Sequence, residues 1–365
     1  MKIKDIVAAI EAIAPPVLQE DYDNAGLITG LPDTEVTGAL LCLDSTEAVI
    51  DEAIAKGYNL IIAHHPIVFK GLKKITGRNY VERTIIKAIQ NNIAIYAAHT
   101  NLDNVLANGV NEKIASKLGL HDLSILQPRA NTLSKLIIYT PESASEAVKN
   151  ALFEAGAGRI GHYSECSFSV NGQGTFKPGA GANPSSGKEG TRSTEAEIRT
   201  EVILPREIAG AAIAAAKKAH PYEEMAYDLI PLDNTHQGIG SGVIGELSAP
   251  LSPSDFLNHL KTAMNLEVIR YTAFNKNISK VAVCGGSGSF LTEAAKRSGA
   301  DAYVTADVKY HEFFDADNRL MLCDIGHYES EIHTLEIFSD VIREKFPNFA
   351  VIFCREVTNP VHYFK

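Results

Sequence analysis

Histidines and carboxylates set just after apolar runs are the residues of this chain best placed to do chemistry. Ile61-Ile62-Ala63 leads into His64-His65-Pro66. Ile93-Ala94-Ile95-Tyr96 leads, through Ala97-Ala98, into His99-Thr100-Asn101-Leu102-Asp103. Leu320-Met321-Leu322-Cys323 leads into Asp324-Ile325-Gly326-His327, with Glu331 further on. In open α/β sheets ligands gather at the carboxyl ends of strands. His with Asp or Glu is the donor set of zinc, iron and manganese sites. The pattern predicts a metal centre assembled from both ends of the chain.

Each element also has a plainer reading. Adjacent residues on an extended strand point to opposite faces, so His64 and His65 could be a surface pair. At an irregular strand end, stiffened by Pro66, they can instead turn toward one cavity and serve two neighbouring metals. His99 and Asp103 share a face if a helix begins near Asn101; otherwise Thr100, Asn101 or Asp103 is a helix cap. His327 and Glu331 have the same spacing, and Glu331 could simply complement a helix dipole. Taken together, His64, His65, Asp103, His327 and Glu331 are too many for one closed tetrahedral site. They suit two metals about 3.5–4 Å apart that share a carboxylate and a water, the water being the expected nucleophile.

The elements that must position these residues alternate strand and helix. Near the start, Ala39–Leu43, Leu60–Ala63 and Ile93–Ala97 read as strands. Ile3–Ala14, Thr46–Ala55 (capped by Ser45), Val81–Gln90 and Val110–Leu118 read as helices. Asp44, just after the first strand, could cap a helix or support the site from behind. The last third alternates in the same way, with strands at Lys280–Cys284, Ala302–Thr305, Leu320–Cys323 and Phe349–Phe353. Its helices are Ser254–Ala263, Phe290–Ser298 and Ile332–Phe346. Gly285-Gly286-Ser287-Gly288 reads as a strand-to-helix turn, or less readily as a phosphate cradle. The middle differs. Leu136–Tyr139, Thr200–Ile203 and Met225–Ile230 read as strands, Ala144–Ala155 and Ile208–Lys218 as helices, and Asn171–Gly190 as a long loop or hairpin. That order is a ferredoxin-like pattern. The expected division is 1–129 and 246–365 as two halves of one core, with an inserted domain at 130–245.

The 365 residues carry a net charge of -10, which disfavours a sequence-independent nucleic-acid binder. No run reaches the ~18 apolar residues of a membrane span, and the start lacks a secretory pattern. The five cysteines form no CxxC pair and read as reduced thiols, so the cytoplasm is the expected location.

At this point the sequence resembles the Nif-three-like family of dinuclear-metal proteins, often described as type-two homologues of GTP cyclohydrolase I. The resemblance is carried by Tyr22-Asp23-Asn24-Ala25-Gly26-Leu27 (the family usually has Trp first), Ala63-His64-His65-Pro66, His99-Thr100-Asn101-Leu102-Asp103 and Gly109-Val110-Asn111. Further pieces are Gly285-Gly286-Ser287-Gly288, the stretch Thr305–His311 (Gly is frequent at Ala306) and Asp324–Glu331. The middle segment is similar to the extra domain of the longer members, a CutA- and PII-like ferredoxin fold, through Gly174-Thr175-Phe176, Ala182-Asn183-Pro184 and His220-Pro221-Tyr222. The resemblance implies two divalent metals per subunit (zinc, iron or manganese) on His64, His65, Asp103, His327 and Glu331, with Glu331 bridging. It also implies a toroidal homohexamer.

The expected activity is metal-dependent hydrolysis of a small molecule, a nucleotide among the candidates. His99, Asp307 or His311 would be the proton carrier. The competing expectation is a non-catalytic metal scaffold or adaptor that binds a ligand or partner through the inserted domain.

Overall fold

The computed structural model describes residues 1–364. The chain divides into two compact units, one of Met1–Gln127 with the chain from Gly238 onward, the other Pro128–Gln237.

The discontinuous unit holds two sheets. The first runs Gly26–Thr29, Ala94–Ala97, Leu60–His65, Ala39–Asp44, Val351–Phe353 in space. All its neighbours are parallel except the first pair. Its strands are near-continuous apolar runs because both faces are covered. Leu40, Cys42, Ile61 and Ala63 pack on one side with Val49, Ile50 and Ile85; Leu41, Leu60, Ile62 and Tyr96 pack on the other with Ile6, Ile10 and Phe338. The last strand pairs residue 351 with residue 39, so the late part of the chain completes a sheet begun by the first part.

The second sheet runs Arg270–Tyr271, Met321–Asp324, Ala302–Ala306, Ile278–Ser287, Gly240–Leu251, Leu120–Pro128. The three strands from Met321–Asp324 to Ile278–Ser287 are parallel. Val281, Val283 and Val304 join the same core cluster as Ile6, Ile114 and Phe338. One core thus spans both sheets, with the helices Ile3–Glu11, Val110–Lys117 and Thr334–Lys345 contributing to it.

Several local expectations are revised. Thr46, not Ser45, caps the helix Glu47–Lys56, its Oγ1 accepting from Val49 N–H at 3.4 Å. The expected helix from Ile332 begins only at Thr334 and is preceded by a separate turn of helix, His327–Glu331. Gly285–Ser287 continue a strand.

The second unit is a four-stranded antiparallel sheet ordered Ser167–Phe176, Ser193–Pro205, Leu133–Pro141, Tyr227–Leu232. Helices Ser145–Glu154 and Ala209–Ala219 supply Val148, Leu152, Ala212 and Ala216 to its core. The order β-α-β-β-α-β makes it ferredoxin-like. Among the described residues no helix is long and apolar enough to cross a membrane.

Candidate metal centre

Three strand ends supply the donors. Leu60–His65 and Ala94–Ala97 run parallel with Leu60 opposite Ala94, so both finish at one edge. The first finishes on His64 and His65. The second leads to His99, which precedes the one-turn helix Thr100–Asp103. His99 N–H donates to Asn101 Oδ1 (2.9 Å), and Asp103 N–H to the His99 carbonyl (3.1 Å). In the other sheet, Met321–Asp324 is followed by Gly326 at φ +90° and then by the helix His327–Glu331. That spacing puts His327 and Glu331 on one face.

The donors gather around Glu331, which is 2% exposed. Its Oε2 lies 2.8 Å from His65 Nε2 and 3.1 Å from His327 Nε2, and those nitrogens are 3.3 Å apart. Its Oε1 lies 3.7 Å from His64 Nε2, which is 3.7 Å from Asp103 Oδ1. One carboxylate therefore faces two donor sets. His64 and His65, although adjacent, each take a different side of it. The His99 ring is centred 5.4 Å from both of theirs.

Each imidazole is fixed from behind. Nδ1 donates to the Ala98 carbonyl from His64 (2.8 Å), to Asp44 from His65 (2.8 Å), to Asp23 from His99 (2.8 Å) and to Asp307 from His327 (2.7 Å). A carbonyl or ionised carboxylate only accepts, so Nδ1 carries the proton and Nε2 is left facing the cluster. Metal-ligating histidines are held in this way.

The atoms that face inward include two without partners. His64 Nε2 and Asp103 Oδ1 are buried and make no hydrogen bond. An unpaired buried polar group costs about 1–3 kcal/mol, so these atoms fit a cationic occupant. Two donors each about 2.1 Å from one cation, at the tetrahedral angle, lie roughly 3.4 Å apart. The observed spacings run from 2.8 Å, between His65 and Glu331, to 3.7 Å and bracket that value.

Electrostatics agree with the geometry. Burial disfavours charge on His65, but hydrogen bonds to Asp44 and Glu331 outweigh it and raise its pKa to about 10. His327 is raised to about 9, against its burial, by Glu331 and Asp307. Burial lowers His64. Burial also opposes charge on Glu331, yet the surrounding imidazoles hold it well below the usual carboxylate range. Asp103 is pushed well up by burial and by the neighbouring Glu331 charge. The two inward carboxylates thus compete for the same positive charge.

Gly286 makes this packing possible. It sits at φ +60°, and a Cβ there would come within 2.2 Å of Glu331 Oε1. Its N–H donates to Ser330 Oγ (2.9 Å), and that of Gly288 to Thr305 Oγ1 (3.0 Å). These amides are engaged, so the glycine run serves packing and not phosphate binding.

The donor cluster opens into a cavity of about 590 Å³, walled by His65, His99 and His327 and by Phe69, Tyr80 and Tyr328. Of the candidate proton carriers, His99 and Asp307 line it, and Asp307 is occupied by His327. His311 lies elsewhere, exposed, with its ring against Tyr310 and Phe314. Sequence reasoning gave Asp23 no role. It accepts from His99 Nδ1 and from the Thr100 N–H (3.0 Å) and hydroxyl, and these bonds outweigh burial to bring its pKa to about 2. The only signal for Asp23 was its place in the segment Tyr22–Leu27.

This architecture defines a class: an α/β protein whose two chain ends together build a histidine–carboxylate cluster, with a ferredoxin-like unit inserted between them. The chain belongs to the Duf34/NIF3 family (NGG1p interacting factor 3), whose model matches residues 1–360. It is 41% identical over 330 residues to a Halalkalibacterium halodurans protein named GTP cyclohydrolase 1 type 2 homolog, spanning 90% of this chain and 88% of that one. A Bacillus subtilis protein of the same name is 40% identical over 332 residues, spanning 90% and 89%. The crystal structure of a Bacillus cereus protein related to NIF3 superposes with a TM-score of 0.86 at 37% identity, covering 100% of this chain and 99% of that one.

Proposed function

We propose that this protein binds two divalent cations per chain and uses them to hydrolyse a small molecule. One observation carries the reading: the two oxygens of buried Glu331 face separate donor sets, His65 with His327 and His64 with Asp103. Asp103 and Glu331 supply two negative charges, and the imidazoles supply neutral nitrogen donors once deprotonated. No thiolate is among the donors, so zinc, iron and manganese all suit the set. Two such cations would supply Lewis acidity for a carbonyl, imine or phosphoryl oxygen and acidify a water.

The protein's own residues do the rest. Asp44, Asp307, Asp23 and the Ala98 carbonyl hold the imidazole planes. Phe69, Tyr80, Tyr328 and Tyr363 give the cavity wall an aromatic part, suited to a planar or ring-bearing substrate. His99, with Nδ1 tied to Asp23 and its ring on the cavity wall, is the proton carrier of this scheme. The name of the relatives makes GTP the first substrate to try. The test is turnover of GTP, phosphoesters and cyclic amides by metal-loaded protein. Full metal occupancy with no turnover across the panel refutes the hydrolytic reading.

A non-catalytic scaffold is the second reading. Its support is that Asp44, Asp307 and Asp23 are all engaged with imidazoles, leaving few free acids at the cavity. His64→Ala with Glu331→Ala separates the two: an enzyme loses turnover and stays assembled, a scaffold loses assembly. The assembly we expect is a homohexamer in the cytoplasm. Exposed Phe290, Tyr310 and Phe314 provide apolar surface suited to subunit contact. Light scattering of the purified protein tests the hexamer.

A further inference from the structure

The described residues after the strand Val351–Phe353 form neither helix nor strand, yet they are held against the cavity beside the donor cluster. The Cys354 N–H donates to the Leu41 carbonyl (2.8 Å), and the Arg355 N–H to Glu52 Oε2 (2.9 Å). Farther on, Thr358 Oγ1 donates to Asp44 Oδ2 (2.8 Å), and Asn359 Nδ2 to Glu329 Oε1 (3.1 Å). Pro360, Val361 and Tyr363 form part of the cavity wall beside His65 and His327.

We propose that residues 358–363 are a working part of the metal centre. Thr358 is a positioning residue for His65, and Pro360, Val361 and Tyr363 restrict access to the cavity. The proposal rests on the two-cation reading above. Its basis is a continuous chain of contacts from the tail to the cluster. Asp44 Oδ1 accepts from His65 Nδ1 while Oδ2 accepts from Thr358, and His65 Nε2 lies 2.8 Å from Glu331. The Asp44 side chain is 36% exposed, so packing alone does not fix it. Two hydrogen bonds, one to each oxygen, set the carboxylate plane and with it the plane of the His65 ring. Losing the direct partner of a ligating histidine weakens metal binding roughly 10–100-fold. Thr358 acts one contact further out, so a loss of about 3–10-fold is expected, confined to the cation beside His65 and His327.

The experiment is a cobalt(II) titration of the full chain, followed by its visible absorption and by the rate of extraction with a chelator. Wild type is compared with Thr358→Val, Thr358→Ser and a chain ending at Val357. Thr358→Val should weaken one of two cobalt equivalents and alter its absorption band, and Thr358→Ser should restore both. The shortened chain should also release cobalt at least about tenfold faster, since its cavity wall is open. The proposal is overturned if Thr358→Val keeps both affinities and the wild-type spectrum, or if the shortened chain, folded by circular dichroism, releases cobalt at the wild-type rate. Wild type that takes up no cobalt overturns the two-cation reading itself, and this proposal with it.

Discussion

Replacing Glu331 by Gln probes the centre with the least change of shape. The side chain is 2% exposed, so an isosteric amide must occupy the same space. It keeps one oxygen, which can serve one donor set but not both. The other position becomes an NH2 and the charge is lost. We expect cation stoichiometry to fall from two to one or none, with any remaining site weakened at least ~100-fold, or ~2.7 kcal/mol. The metal-free variant loses the carboxylate that pairs with the protonated His65 and His327 rings, so it should be less stable than wild type at neutral pH, offset in part by a new hydrogen bond. Its NH2, turned toward Oε1's present position, can donate to His64 Nε2 or Asp103 Oδ1, the two buried atoms now without partners. At a metal concentration 100 times the wild-type Kd, one site stabilises the wild type by about 2.7 kcal/mol but the variant by only about 0.4. Metal analysis after equilibrium dialysis gives the stoichiometry, and melting with and without metal gives the linkage. A Glu331→Gln protein that keeps two equivalents at wild-type affinity would refute the shared-carboxylate geometry.

Other outcomes follow from the same structure. His65 at about 10 and His327 at about 9 are protonated in metal-free protein at neutral pH and must lose those protons to bind a cation. Metal uptake should therefore release at least about two protons, with a further contribution from Asp103, whose carboxyl is pushed well up by burial. Apparent affinity should rise with pH up to those values; calorimetry in buffers of different ionisation enthalpy that finds no proton release would contradict this. Gly286→Ala places a Cβ 2.2 Å from Glu331 Oε1 at a positive φ. It should cost about 2 kcal/mol or more and abolish metal binding, read by denaturant unfolding and metal analysis. Glu336 binds Lys113 (2.9 Å) and Lys117 (2.7 Å), joining two helices of the core. Burial works against its charge, but the lysines and His333 bring its pKa to about 2. Its contribution is complete above the unfolded value near 4.5 and is lost as pH falls toward 2. Glu336→Gln should flatten that part of the acid-stability curve; an unchanged acid limb would count against the pair.

The donors were legible because each follows an apolar run that can only be a buried strand. His64, His65, His99, Asp103, His327 and Glu331 could be named from that alone. Asp44 has two local readings and proves to be the partner of His65, while Thr46 takes the cap. Asp23 is marked only by its place in the segment Tyr22–Leu27, and Thr358 carries no local signal. Each acts through a hydrogen bond to a group more than 70 residues away in the chain, 76 for Asp23 and 314 for Thr358. The Ala98 carbonyl could not be anticipated at all, since a backbone group has no residue type to read. In the inserted unit, the strands Ser167–Phe176 and Ser193–Pro205 extend beyond the expectation because ten consecutive cross-strand pairs override weak local propensity at Asn171, Gly172 and Gly174. The glycines after Cys284 suggest a turn, whereas the small size of Gly286 answers to Glu331 across the cluster and that of Gly288 to Thr305 and Tyr303.

Anomalous diffraction from crystals of the metal-loaded protein tests the central claim most directly. Two peaks about 3.5–4 Å apart, one on each side of Glu331, are expected, with His65 and His327 at one and His64 and Asp103 at the other. A single peak, or peaks away from these side chains, would contradict it.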